Sequence, residues 1–469
     1  MPFQPVLLWT DALLFLLVGL AVLFAWQARR REHLRAPWRE VARRPLAMAS
    51  AVVLGAYALI GLADSVHFRP ALEQPGPQGE RRYAPEVWSL LDLALAPLRL
   101  QAEKTYSAPF AVRLYVKETV QAPDGTLQRV RPRLRWGGAH LEDPGRRWAD
   151  VAARAARGAA GGLALWGLAG AAWLAWRARR WGCRWREALA RVAAGRTELP
   201  WRAVWLTAAA LLLLAGAVAA LAPHYHVLGT DKVGEDVLYQ SLKSVRTGLV
   251  IGTLTTLVML PFAVLLGLAA GYFRGWVDDV VQYLYTTLNS IPGVLLIAAA
   301  VLMLQVYMAN HPEAFPTATE RADMRLLFLC LILGITSWTG LCRMLRGETL
   351  KLRELDYVQA AQAFGVGSGR ILLRHLLPNL MHIVLISVVL DFSALVLAEA
   401  VLSYVGVGVD PSMHSWGNMI NAARLEMARE PVVWWTLAAA FLLMFALVLA
   451  ANLFADAVRD AFDPRLRGA

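Results

Sequence analysis

Apolar residues run along this chain in long blocks separated by polar and basic segments. The blocks fall near 7–27, 46–64, 158–176, 204–222, 246–271, 280–308, 325–343, 380–405 and 432–455. A helix needs roughly 20 apolar residues to cross the hydrocarbon core of a bilayer. The pattern therefore predicts an all-α polytopic membrane protein with about nine transmembrane helices. A different period interrupts it between the second and third blocks. Phe110–Val120 and Thr126–Trp136 alternate and are rich in Val, Leu and Tyr, and they flank Ala122-Pro123-Asp124-Gly125. That is the signature of a β-hairpin around a turn. It predicts a small α+β insertion near residues 65–157. Side chains in a strand alternate with period two, so Arg129, Arg131, Arg133 and Arg135 are expected on one face. That face is either solvated or an anionic-ligand site.

Composition supports the membrane reading. The 469 residues are 57% hydrophobic and 17% charged, against about 25% charged in a soluble domain. The formal net charge of +12 would point to nucleic acid in a soluble protein. Here the arginines sit beside apolar blocks, so they fix topology and meet anionic lipid headgroups. No nucleic-acid partner is expected. Met1–Val6 carries no positive charge, whereas Arg29, Arg30 and Arg31 follow the first block. A cleavable signal peptide has the reverse order. The positive-inside rule then places the N-terminus in the periplasm and residues 28–45 in the cytoplasm. Alternation puts 65–157 outside. The segment with Arg177, Arg179, Arg180, Arg184 and Arg186 falls inside, as does the tail with Arg459, Arg465 and Arg467.

The three cysteines form no ligand-spaced cluster, and no metal site is expected. Cys330 and Cys342 fall on one predicted helix, roughly 18 Å apart at 1.5 Å per residue, too far for a disulfide. His224 and His226 at the outer end of the fourth block are either an interfacial pair or two metal contacts. Trp434 and Trp435 read as interface anchors of the ninth span. Trp338 and Trp416 carry no decisive signal.

The stretch between the seventh and eighth blocks holds the most information. Tyr357–Phe364 is a good helix former, and Gly365 stands where a C-terminal cap belongs. Gly367, Ser368 and Gly369 allow a turn. Arg370–Leu377 is a second amphipathic stretch expected to stop at Pro378. Ala360 and Ala361 give a smooth patch, with Tyr357 and Phe364 as apolar knobs. An ordinary interfacial helix has a similar pattern. Ala360-Ala361, Gly365 and His375-Leu376-Leu377-Pro378, at this spacing, resemble the EAA loop of binding-protein-dependent ABC importer permeases. The likeness is greatest to the dipeptide/oligopeptide/nickel branch. Gln359 stands where that family usually has glutamate. Leu228–Leu238, Gly271–Asp278, Ser337-Trp338 with Arg343 and Arg346, Ala398–Gly408, Ser415–Met419 and Arg459–Gly468 are also similar to the family, in order. Glu235 replaces a usual arginine. The likeness covers about residues 200–469.

The resemblance implies a type I ABC importer transmembrane fold over 201–469, with residues 355–378 as the coupling loop. Residues 1–200 then form an added module of three spans with the periplasmic domain at 65–157. It further implies ABC ATPase subunits, a second permease subunit in a hetero-oligomer, and a periplasmic solute-binding protein as partners. The implied setting is the bacterial inner membrane. The chain has no Gly-x-x-x-x-Gly-Lys-Ser/Thr phosphate loop, so it is not expected to be an enzyme. ATP and Mg belong on the partner ATPase, with no cofactor in this chain. The function implied is a pore-forming subunit importing peptides. Nickel or metal-chelate import is the alternative within transport. A membrane sensor built on 65–157 is the alternative outside it. Asp391 and Glu399 lie inside the eighth block, where a carboxylate costs roughly 2.5–3.5 kcal/mol on insertion scales. They are expected to face protein or a pore rather than lipid, Glu399 in a structural or gating role and Asp391 as the better pore-lining candidate.

Overall fold

The computed structural model describes residues 3–30, 32–72, 82–121, 127–315 and 317–462. Among these residues, nine helices have the length and composition to cross a membrane. The helices run in chain order α1 Trp9–Arg30, α2 Glu32–Arg43, α3 Pro45–Asp64, α4 Leu90–Ala94, α5 Ala96–Leu100, α6 Arg147–Trp181, α7 Trp185–Ala193, α8 Trp201–Leu221 and α9 Val237–Phe273. They continue as α10 Gly275–Ser290, α11 Gly293–Asn310, α12 Ala318–Ser337, α13 Thr339–Arg353, α14 Asp356–Ala363, α15 Ser368–Ile371, α16 Leu377–Tyr404, α17 Trp416–Glu426 and α18 Trp435–Phe462. The family-like ending beyond residue 462 lies outside the described residues.

Two apolar blocks are not single helices. The sixth divides at Ile291-Pro292 into α10 and α11. Proline lacks the donor a helix interior needs, and it pushes its predecessor into extended backbone; Ile291 has φ −91° and ψ 130°. The seventh divides at Trp338 into α12 and α13. Cys330 and Cys342 lie on either side of Trp338 within the one span Ala318–Arg353; both are buried and free.

The described chain forms two compact units. The first takes the N-terminal strand, residues 39–247 and residues 414–450. Its strand β1, Phe3–Val6, pairs antiparallel with β2, His67–Pro70, which pairs with β3, Trp88–Ser89. A separate hairpin joins β4, Glu118–Gln121, to β5, Leu127–Val130, with Glu118 opposite Val130. The expected hairpin is thus present but short, and its turn at 122–126 is outside the described residues. Residues 110–117 and 131–136 are irregular apart from a bridge between Arg113 and Arg133. Of the four arginines only Arg129 lies in a regular strand, and all four are exposed. Arg131 stacks over Tyr115, Arg135 over Trp136, and Arg133 donates to the Leu141 carbonyl.

Buried ion pairs organise this unit. Lys243, near the start of α9, reaches Asp64 at 2.5 Å and Asp92 at 3.1 Å. Asp92 also closes the capping box of α4 with Ser89 and accepts from Tyr239 at 2.7 Å. Burial alone would raise the Asp92 carboxyl, but the Lys243 ammonium and these hydrogen bonds hold it below the ordinary range. His226 Nδ1 lies 2.7 Å from Asp236 and its Nε2 3.5 Å from Glu103. The backbone N–H groups of Arg135, Trp136 and Gly137 donate to the same Glu103 carboxylate. His224 turns elsewhere, its ring 5.1 Å from that of His140. The two histidines do not converge, and no group of three or more metal-ligating side chains occurs among the described residues.

Tryptophans of this unit pack as well as anchor. Trp416 is buried and donates to the Ser241 carbonyl at 3.1 Å. Trp435 is also buried, donating to the Thr230 carbonyl at 3.0 Å, whereas Trp434 is exposed. Only Trp434 of that pair retains the surface placement of an anchor. The helices α6 and α8 approach on glycines: a Cβ on Gly162 would lie 2.1 Å from the Leu212 carbonyl oxygen. Small residues let helix backbones meet at this range.

The second unit holds residues 7–38, 248–413 and the C-terminal part of α18. Its core joins α9, α10, α13 and the start of α16 through Met259, Leu268, Tyr285, Leu345, Leu380 and their neighbours. Trp338 belongs to this core and is a packing residue. Gly271 lets α13 come close, since a Cβ there would meet Thr349 at 2.6 Å.

Candidate docking site

The segment following α13 turns on itself within the second unit. Leu355 is extended and opens α14, and Asp356 supplies a negative charge to its first turn. Phe364 caps α14, and Gly365 takes φ +72° beyond it. Left-handed backbone is accessible to glycine without strain. A Cβ on Gly365 would meet nothing within 4 Å, so its backbone angle alone selects glycine.

The chain then re-enters a helix sooner than the sequence suggests. It passes through α15 and a π-helical turn over Leu372–Leu376 directly into α16. Pro378 does not stop the second helix, as expected from its type, but sits in the first turn of α16. A proline there lacks only a donor that has no partner in any case. The π turn takes up the change of register, with the Leu377 N–H bonding the Leu372 carbonyl.

This arrangement separates anchors from exposed surface. Val358, Ile371 and Leu376 are completely buried and belong to the core beneath. Ala361 and Leu377 pack partly against the same core. Phe364 is 87% exposed and Tyr357 43%, and Gln359, Ala360, Gly365 and Pro378 are exposed beside them. Leaving a phenylalanine almost bare costs hydrophobic free energy that burial against a partner would recover, about 25 cal/mol per Å².

Hydrogen bonds fix the exposed face. Asn379 donates to the Tyr357 hydroxyl at 3.0 Å and to the His375 carbonyl at 2.7 Å. The Tyr357 and His375 rings lie 6.4 Å apart. Gln359 donates to the Glu354 carbonyl at 3.1 Å. Gln362 donates to the Tyr272 hydroxyl at 3.3 Å, and Arg353 to the Tyr272 carbonyl at 2.6 Å. Arg346 holds Asp278 with two bonds of 2.5 and 2.7 Å. That ion pair keeps the Asp278 carboxyl below its ordinary range. The loop is thus tied to the ends of α9 and α13, and α13 in turn to α10.

Sequence reasoning found the exposed knobs and missed the anchors. Val358 was legible as the apolar residue among polar neighbours in α14. Ile371 and Leu376 were not, because five residues apart they leave one face of a regular α-helix. Only the π turn brings both inward. Asn379 and Tyr272 brace Tyr357 and Gln362, a role that no local pattern assigned to them.

Of the two carboxylates in α16, Glu399 is buried and accepts from Ser403 at 2.7 Å. Asp391, two turns earlier, is partly exposed. The helix places them on the same side without joining them.

The spanning helices and the exposed loop are features that a membrane permease component would have, and the comparisons with known proteins show that class. Residues 263–468 match the family described as the binding-protein-dependent transport system inner membrane component. The chain is 33% identical over 244 residues to the glutathione transport system permease protein GsiD of Pectobacterium atrosepticum, covering 52% of this chain and 73% of that one. It is likewise 33% identical over 242 residues to the oligopeptide transport system permease protein OppC of Mycobacterium tuberculosis, covering 52% and 77%. The chain belongs to this family of inner-membrane permeases of ABC importers.

Proposed function

We propose that this chain is a pore-forming half of an ATP-driven importer of peptides, moving them from periplasm to cytoplasm. The names of the relatives, glutathione and oligopeptide permeases, favour peptides over nickel or metal chelates. The observation that carries the coupling role is the almost bare Phe364, presented with Tyr357 and Ala360 above the buried Val358, Ile371 and Leu376. The loop 355–378 docks into a groove of a separate ATPase subunit, which binds ATP and Mg. A second, different permease subunit completes the pore, and a solute-binding protein delivers the peptide. The N-terminus lies in the periplasm and the C-terminus in the cytoplasm, in keeping with the placement of the arginines. In mechanism, closure of the ATPase pair pushes on the rigid loop. The buried anchors pass that displacement to α13 and α16, whose tilt alternates access to the pore. Asp391 lines the pathway, and Glu399 holds the outer part of α16 through Ser403.

The test is co-purification of the tagged chain from native membranes in mild detergent. An ATPase subunit and a second permease are expected with the wild type, and the ATPase is expected to be lost from Gly365→Asp. Asp tolerates left-handed backbone better than most residues, so that variant adds a charge at a modest cost in backbone strain at this φ of +72°. Recovery of the ATPase at wild-type amounts with Gly365→Asp would overturn the docking assignment.

A further inference from the structure

A groove of 770 Å³ opens between α6, α7 and α8, wholly within the first unit. Its volume is in the roughly 300–1,000 Å³ range of ligand-binding clefts. The wall is apolar: Trp166, Trp173 and Leu174 of α6, Leu189 of α7, and Trp205 and Leu206 of α8. Arg202 is the one charged lining residue. The helix α7 presents Trp185, Leu189 and Val192 to this groove, four and three residues apart as one helix face requires. Its arginines lie off that face, the pattern of a helix lying in a membrane interface.

Charge and aromatic placement favour one occupant. Residues 177–202, the segment that borders the groove, contain eight arginines and two glutamates and so carry a strong positive charge. One turn beyond Trp173, the Arg177 guanidinium stacks over Trp173, Trp176, Trp181 and Trp201 at 5.2–5.8 Å. Tryptophan and arginine together mark the headgroup level of a membrane. Two buried donors there have no hydrogen-bond acceptor among the described residues, Arg177 Nε and Trp205 Nε1. A buried donor without an acceptor is costly, and an ester or phosphate oxygen would offset that cost.

We propose that this groove is a binding site for an anionic phospholipid of the adjacent leaflet. An acyl chain lies along the Trp166–Trp205–Leu206 wall, and the phosphate sits between Arg202 and Arg177. The site is independent of the loop at 355–378, and its test does not depend on transport. Basic pockets between transmembrane helices hold anionic headgroups elsewhere by the same electrostatics.

The experiment is native mass spectrometry of the delipidated full chain, titrated with phosphatidylglycerol or phosphatidylcholine of matched acyl chains. Two arginines near a phosphate predict about a tenfold or greater preference for phosphatidylglycerol. In Arg177→Gln/Arg202→Gln that preference falls to parity while acyl binding persists. Gly170→Leu fills the groove, because a Cβ there meets only Trp205 at 3.8 Å; binding of both lipids at this site is then lost. Equal binding of both lipids by the wild type would overturn the proposal. So would an unchanged preference in the arginine variant, or a second copy or a non-lipid molecule occupying this face.

Discussion

His226 sits between two carboxylates, with 2% of its surface exposed. Burial disfavours its charged form, yet Asp236 and Glu103 outweigh that and push it up to about 9. Burial would likewise raise Glu103, but His226 and three backbone donors bring it down to about 2. The signs of the two pH dependences differ. The contribution of His226 is full below its ordinary value of 6.5 and is lost as pH rises through about 9. That of Glu103 is full above 4.5 and is lost as pH falls through about 2. The thermal midpoint of the solubilised chain should therefore be level between these ordinary values and fall on both sides. Glu103→Gln should cost about 3 kcal/mol, since it breaks a buried pair. It should also move the alkaline fall to lower pH. A midpoint that ignores pH between 6.5 and 9 would show that the ring is neutral.

Helices in this chain are placed by a few close approaches. In α6, Gly158 and Gly162 lie against the backbone of α8, and a Cβ on Gly158 would come within 2.2 Å of the Gly216 carbonyl oxygen. No rotamer relieves a clash with backbone, so Gly162→Val must part the two helices. The expected cost is about 1–3 kcal/mol, read as faster proteolysis of the detergent-solubilised chain. Gly167→Ala, in open space on the same helix, should leave the rate unchanged. The docking segment obeys a related logic. Its exposed residues were legible because helix-capping glycine and apolar knobs have sequence signatures. Its anchoring was not, because a π turn has none and Pro378 reads equally well as a stop or a start.

At the scale of the molecule, residues far apart in sequence complete each other's charges. Lys243 draws its counter-ions from Asp64 and Asp92, and His226 draws one of its own from Glu103. A fragment of residues 201–469 expressed alone would leave both cations short of partners in a buried setting, a costly state. We expect its membrane abundance to drop several-fold and to recover when residues 1–200 are co-expressed. Equal abundance of fragment and full chain would show that the ion pairs contribute little.

The sequence by itself determined the number of spanning helices, the presence of a hairpin, the membrane class and the exposed face of the loop. Each depends on local periodicity or on one residue's backbone preference, and neither needs a distant partner. Tertiary structure alone decided that His224 and His226 part company and that Trp435 is buried while Trp434 is not. It also decided that the hairpin ladder stops at Val130 and that Ile371 and Leu376 both turn inward. Those outcomes depend on which distant group offers a counter-charge, an acceptor or a space to fill, and no local pattern encodes the identity of that group.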